Sequence, residues 1–388
     1  MKTLRFMRWG DKMNAVLHCP SVVGGNATTL SRHLNMIGCR SLCVAYEAHP
    51  FGYQADVTLW RQEMGLLRRE ITRVVSVFRA ALGYQTIHFN FGTTMAFPSL
   101  PVARSTTTFF DYLLRRIHST YTEVLQLMEL TLLRVLRRKV LITFQGDDVR
   151  QGDLSLVYFS ESIAHNTDHR YYHPLSDAAK RRRLRRLIRV ASHVSYVNPD
   201  LSRFLPASAV FVPYSHTEVE DLDRTLAPRH QRPMRFLHAP SHRGAKGTDI
   251  IIAVFEQLSS EKAQVELTLI ENMTQERVWD AIYDCDVLID QLFAGWYGGI
   301  AVEALCRGRL VAAFVRKGDL DVLDPEMVDD LPVIGTSAET LAATIRDLVG
   351  MSSSELDILK SRGLKYSQKW HSPTAVARLF SSLYGCSH

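Results

Sequence analysis

Residues Asp286–Arg309 read DVLIDQLFAGWYGGIAVEALCRGR, an apolar run that ends in a glycine-rich turn and opens into an amphipathic segment. Val287–Ile289 is apolar at every position, the pattern of a strand buried on both faces. Gly298 and Gly299 leave no Cβ at the mouth of the following helix, so a ligand can approach the backbone closely. Free N–H groups and the positive end of the dipole at such a helix start favour phosphate oxygens. Glu303, about one turn further in, is placed to accept hydrogen bonds from ligand hydroxyls. The stretch predicts a nucleotide diphosphate site at the end of a parallel strand.

The same strand–helix alternation runs through the chain. Strands are predicted at Ala15–His18, Ser41–Tyr46, Thr86–Phe89, Val140–Phe144, Val194–Val197 and Val210–Val212, with helices near 27–37 and 63–81 and a long apolar helical stretch, Asp111–Lys139. A second series follows: strands at Arg235–Ala239, Val265–Ile270, Val287–Ile289 and Leu310–Phe314, with helices at 249–258, 275–283 and 301–306. Short buried strands alternating with helices define an α/β protein of doubly wound parallel sheets. Between the series, Ser215–Pro233 is polar with two prolines and reads as a connector. The expected division is an N-terminal domain over 1–214, a linker over 215–233 and a C-terminal domain over 234–370. A last helix over 371–388, opened by Pro373, is expected to pack back on the N-terminal domain.

Length and charge set bounds. With 388 residues, two cores are expected rather than one. The net charge of +6 is compatible with an anionic ligand, a membrane surface or nucleic acid, and selects none. Six cysteines without a CxxC pair read as reduced core residues of a cytosolic protein. MKTLRFMRWGDK lacks the apolar core of a secretory signal, and no run of eighteen apolar residues occurs, so a soluble or peripheral protein is expected.

The second series begins with HAPSHRGAKGTD, a strand running into a loop that carries Arg243 and Lys246, with Thr248 or Asp249 placed to cap the next helix. Two cations there suit a diphosphate, Arg243 bidentately and Lys246 as a point charge. This segment and DVLIDQLFAGWYGGIAVEALCRG together resemble the donor-binding domain of retaining GT-B glycosyltransferases of the family 4 type. In the first half, VVGGNATTLSRHL, IHFNFG, TFQGDDVRQGD and VNPDLSRFLP resemble that family's N-terminal motifs, so the resemblance covers nearly the whole chain.

What the resemblance implies is a two-domain GT-B enzyme that transfers a hexose-type sugar from a nucleotide-diphosphate sugar to a saccharide or lipid-linked acceptor in polysaccharide or glycoconjugate synthesis. It implies no metal or other cofactor. Arg243 and Lys246 would hold the diphosphate and stabilise the leaving group, Glu303 would take the ribose, and the Gly298 and Gly299 N–H groups would meet phosphate or sugar oxygens. Gly24 and Gly25, with Asn26, would close the N-terminal loop over the phosphates. Gln145 and Arg150 join the donor-binding set, and His88 and Asp148 the catalytic one. His88 is alternatively a hydrogen-bonded residue closing its strand, and Asp148 and Arg150 alternatively pair with each other. Two positions depart from the family pattern: Gly295 stands where a sugar-binding glutamate is usual, and Gln145 where a histidine is usual. They leave a non-catalytic scaffold subunit, or a nucleotide-sugar epimerase, as alternatives.

Other motifs weigh less. Asp284-Cys285-Asp286 imitates a metal motif but reads as capping. His165, His169 and His173 have ligand spacing on a helix but lie in a polar segment. The polybasic run Lys180–Val190 is either a solvated helix face or a surface for anionic lipid, which would put the protein peripherally at the inner face of a membrane. Nucleic acid is not expected, because no aromatic residues interleave with the basic ones. Gly24-Gly25 lacks the dinucleotide GxGxxG spacing.

Overall fold

The computed structural model describes residues 15–49, 52–97, 109–168, 170–219 and 233–386, without the side chains of 109–112, 114 and 115. The N-terminal MKTLRFMRWGDK, residues 220–232 of the connector, Asp111 and His169 are therefore outside the structural account. The first half runs β1 (Val16–Cys19), α1 (Asn26–Met36), β2 (Ser41–Ala45), β3 (Val57–Thr58), α2 (Leu66–Gly83), β4 (Thr86–Asn90) and α3 (Phe109–Val135). It continues with β5 (Lys139–Phe144), α4 (Gly152–Tyr158), α5 (Pro174–Ile188), β6 (His193–Tyr196) and β7 (Val210–Phe211). The second half runs β8 (Met234–His238), α6 (Arg243–Lys246), α7 (Thr248–Ser260), β9 (Val265–Leu269), α8 (Gln275–Asp284), β10 (Val287–Ile289), α9 (Gly299–Cys306) and β11 (Leu310–Ala313). It ends with α10 (Pro325–Asp329), β12 (Ile334–Gly335), α11 (Leu341–Gly350), α12 (Ser353–Trp370) and α13 (Pro373–Tyr384).

The strands form two parallel sheets, in the orders β3-β2-β1-β4-β5-β6-β7 and β12-β11-β10-β8-β9. Each sheet reverses direction once, beside β1 in the first and beside β8 in the second. Such switch points open a crevice at the carboxyl ends of the strands. The central strands are buried on both faces: Ile87, Phe89, Val140 and Ile142 line one face of the first sheet, with His88 and Leu141 on the other, and Val287 and Ile289 oppose Leu288 in the second. The two-residue edge strands β3 and β12 and the helices α10–α12 were not expected from the sequence.

α13 packs through Val376, Ala377, Phe380 and Tyr384 against Leu30 and Leu34 of α1, so the last helix lies on the first sheet's layer. That packing brings the Cα atoms of Cys39 and Cys386 to 5.7 Å, and the two are disulfide-bonded. The expectation of six reduced cysteines is corrected accordingly; Cys19, Cys43, Cys285 and Cys306 are buried and not disulfide-bonded.

Beneath α13, His18 is fully buried with neither ring nitrogen hydrogen-bonded, its ring 5.1 Å from that of His88. Burial pushes the His18 imidazole down to about 3, and those of His238 and His371 to about 4. These rings are neutral in the fold and take up protons on unfolding. Their contribution is therefore complete above the ordinary histidine range and lost as pH falls below it. Replacing His18 with Leu is expected to flatten the acid side of the stability profile by about 2 kcal/mol at pH 5. Denaturant unfolding of both proteins at pH 7 and pH 5 measures this; equal pH dependence would show that His18 is not a source of it.

Candidate active site

A cavity of about 370 Å³ lies between the carboxyl ends of the two sheets. Its N-terminal wall comes from the segments after β1, β4 and β5: Val23 and Gly24, Phe91, and Gln145, Gly146, Asp147 and Arg150. Its C-terminal wall is built from Ala239, Pro240 and Lys246 after β8, from Asn272, Met273 and Gln275 after β9, and from Gly299, Ile300 and Glu303 of α9.

Glu303 is buried, and its Oε1 accepts from His216 Nε2 at 3.1 Å and Gln275 Nε2 at 3.0 Å. Burial pushes its carboxyl up, but these bonds, the nearby His216 and the Arg307 charge outweigh it and hold the group below its ordinary value. Glu303 is thus an anion at neutral pH, half engaged and facing the cavity. Tyr53 stands beside it, its hydroxyl pushed up by burial and by the Glu303 charge. The tyrosine reaches it because Gly25 lacks a side chain: a Cβ there would stand 2.9 Å from the Tyr53 ring. Gly24 and Gly25 have φ of +66° and +71°, a left-handed turn that other residues enter at a cost. Asn26 does not line the cavity. It braces the turn, bonding to Gln145 Oε1 and accepting from the Ser215 N–H.

Of the expected cation pair, only Lys246 lines the cavity. Its Nζ donates to Asp290 Oδ1 at 2.6 Å, and the same fully buried carboxylate accepts the Gly298 N–H. The free Gly298 N–H predicted from the sequence is therefore occupied, and Gly299 and Ile300 present the start of α9 instead. Arg243 is partly exposed and held at 2.7 Å by both Asp249 and Glu271, which draw it off the cavity wall.

Three further expectations are corrected by geometry. His88 is sealed in the core at the middle of β4, Nδ1 against Tyr384 Oη at 2.6 Å and Nε2 against Thr143 Oγ1 at 2.7 Å, so it is a hydrogen-bonded structural histidine and not a cleft residue. Asp148 is buried under the loop, accepting the Gln145 and Gly146 N–H groups, with burial pushing its carboxyl up to about 6. Arg150 does line the cavity, but pairs bidentately with Asp200 (2.6 and 2.9 Å) rather than with Asp148.

The neighbouring Asp147, not singled out from the sequence, lines the cavity and accepts from Tyr171 and Tyr172. Burial opposes its charge, yet Arg150 and Lys180 hold it below its ordinary value. Gln145 is nine-tenths buried on the cavity wall, and its Nε2 has no partner. Gly295 has φ +83°, and a Cβ there would lie 2.2 Å from Arg316 Nη1. The space of the expected glutamate is thus filled by a guanidinium, itself bonded to Asp319 and to the Glu161 carbonyl.

The polybasic run turns inward. Lys180 donates to the Arg150 carbonyl at 2.7 Å and Arg183 to that of Asp148 at 3.3 Å, while Arg181 pairs with Asp153 and Arg186 with Glu123. Lys180 and Arg183 thus hold the cavity loop, while Arg182, Arg185 and Arg189 are exposed. His173 caps α5 and His165 lies in a separate turn, so these two do not share a helix face. Asp286 accepts the Arg235 N–H across the sheet, as a bracing residue. His216, Tyr53 and Gln275 were missed because they come from a connector, a loop and a helix start, with no motif to mark them.

No protein-family model matches the sequence, and neither does any curated protein. Solved structures do resemble it over its length. A sucrose-phosphate synthase from Thermosynechococcus elongatus has TM-score 0.58 at 14% identity, covering 97% of this chain and 100% of its own. A trehalose-6-phosphate synthase has TM-score 0.53 at 10% identity, covering 97% and 99%. A glycosyltransferase from Rickettsia africae has 0.52 at 10%, covering 96% and 98%. The chain has the GT-B fold, two Rossmann-like domains facing across a cleft.

Asp290 has no side-chain exposure, so removing its partner leaves a buried charge. Lys246→Met is expected to cost about 2–3 kcal/mol, and adding Asp290→Asn to restore most of it. Chemical denaturation of the single and double variants checks this. A double variant as unstable as the sum of its parts would show that the pair is not coupled.

Proposed function

We propose that this protein is a glycosyltransferase that moves a hexose-type sugar from a nucleoside-diphosphate sugar to an acceptor held on its N-terminal side. The observation that carries the reading is the convergence of three features on one cavity at the facing strand ends. They are a buried anionic carboxylate (Glu303), a helix start (Gly299) and an ammonium (Lys246). A nucleoside diphosphate offers the complementary parts: ribose hydroxyls that donate to Glu303, and phosphate oxygens that accept from the α9 start and Lys246. In this reading the phosphate competes with Asp290 for Lys246, and stabilising the leaving diphosphate is the main catalytic contribution.

The unpartnered Gln145 amide and the Asp147 carboxylate are the groups assigned to the transferred sugar. They take over from the absent glutamate and histidine, and Arg243 is left out of the donor site. Retention at the anomeric carbon is proposed from the resemblance to family 4 and from the similarity to a trehalose-6-phosphate synthase whose glycosyl transfer proceeds with retention. A role in polysaccharide or glycoconjugate synthesis is part of the same proposal.

Calorimetric titration with UDP, GDP, ADP and their sugar conjugates tests it. One nucleotide series should bind the wild type, and Glu303→Gln, which keeps the side-chain shape, should weaken it about 10- to 100-fold, the range of a hydrogen bond to a charged group. Failure of every nucleotide to bind, or equal binding by Glu303→Gln, overturns the donor site. Conversion of the sugar nucleotide with no acceptor present would instead identify an epimerase.

A further inference from the structure

More than half of the exposed large apolar side chains among the described residues sit on two neighbouring helices, α2 and α3. α2 buries Ser76, Val77, Ala80 and Ala81 against the sheet. On its other side Leu67, Ile71, Val75, Phe78 and Leu82, spaced 4, 4, 3 and 4, are all exposed. α3 repeats the arrangement. Leu125, Leu130 and Leu133 are in the core, while Leu113, Ile117, Tyr121, Val124 and Met128, again spaced 4, 4, 3 and 4, are exposed. That spacing keeps each set on one helix face.

The two helices run side by side in the same direction. His118 of α3 is 3.5 Å from Glu70 of α2, and Arg138, beyond the end of α3, donates to the Ala81 carbonyl near the end of α2. The stripes therefore lie on one layer of the molecule. A clustered apolar face of this kind marks an interaction surface, whereas scattered exposed residues do not.

The charge around the face decides its partner. Arg68, Arg79, Arg116, Arg134 and Arg137 are exposed along it, and among the described residues of 61–85 and 113–139 the one exposed acid is Glu63. At its border a cavity of about 350 Å³ sets Arg116 and Arg182, the latter 3.6 Å from the half-buried Glu123, beside the apolar Val124 and Leu127. A second copy of the chain related by a two-fold axis would bring these arginines against their own equivalents. A surface of phosphodiesters over acyl chains matches both the apolar stripes and the guanidinium border. None of the helices among the described residues is long and apolar enough to cross a membrane, so the fit is in the plane.

We propose that the α2–α3 face docks this protein on an anionic phospholipid bilayer, with the two stripes at the headgroup–acyl boundary. The membrane surface is thus placed on these helices, not on Lys180–Val190, and the proposal stands apart from the donor-site reading. The full chain is sedimented with vesicles of phosphatidylglycerol and phosphatidylcholine in equal parts, and with phosphatidylcholine alone. The wild type is expected to bind the anionic vesicles at least tenfold more tightly. The variant Ile71→Ser/Phe78→Ser/Ile117→Ser/Val124→Ser should lose at least tenfold of that binding with its thermal midpoint unchanged. Arg68→Gln/Arg134→Gln should reduce the preference for anionic lipid, and it decides the matter if the four-site variant fails to fold. The proposal is overturned by a wild type indifferent to lipid charge, or by variants that bind as well as the wild type. It is also overturned if light scattering finds a dimer that the apolar substitutions separate, since the face would then belong to a second copy.

Discussion

A carboxylate with no exposure, at the end of a central parallel strand, must find donors or cost several kcal/mol. Asp290 finds two, the Gly298 N–H and the Lys246 ammonium. Meeting that need turns residues 290–298 back on themselves, so that α9 begins beside the strand that precedes it. The same need draws the turn after β8 toward the same point. The C-terminal wall of the cavity is in large part the consequence. It also means that the cavity holds its cation against an internal anion, with which the proposed donor phosphate would compete.

The opposite wall is organised by cations as well as anions, Asp148 accepting the Gln145 and Gly146 N–H groups from beneath. The loop after β5 exposes several carbonyls near the cavity, and α5 supplies Lys180 and Arg183 to those of Arg150 and Asp148. Arg150 is in turn fixed by Asp200, and Asp147 by two tyrosine hydroxyls. Long basic side chains pack their stems while their heads satisfy backbone oxygens, a use that a helical wheel reads as solvated charge. The apolar stripes of α2 and α3 show the converse, since side chains that periodicity assigns to a core remain in water.

The architecture was legible because parallel strands buried on both faces must be apolar throughout, and Val287–Ile289 was assigned without error for that reason. Edge strands of two residues, such as Ile334–Gly335, carry no periodicity to detect. Of the candidate site residues, those tied to glycine turns and helix starts, Gly24, Lys246, Gly299 and Glu303, line the cavity. What sequence spacing does not encode is which neighbours compete for a side chain. Arg243 and Lys246 look equivalent in the loop, yet Asp249 and Glu271 hold one away while Asp290 holds the other on the wall. His88 was expected at a strand end facing the cleft, but β4 runs on to Asn90 and α13, nearly three hundred residues later, closes over the ring.

The two departures from the family pattern are physically linked to how the halves meet. A glutamate at 295 would need both a left-handed backbone and the volume now taken by Arg316. Arg316 uses that volume to join Asp319 to the Glu161 carbonyl and to lie 4.1 Å over the Phe159 ring, bridging the C-terminal sheet to the N-terminal half. The space beside Gly295 thus serves a contact between the two halves and holds a cation. In the proposed function, polar recognition beyond the phosphates would fall to the N-terminal loop, where Gln145 keeps a buried amide donor without a partner. An unsatisfied donor of that kind has a cost in the empty cavity that a ligand oxygen removes. An amide also does this without titrating, so its contribution does not depend on pH as a histidine's would.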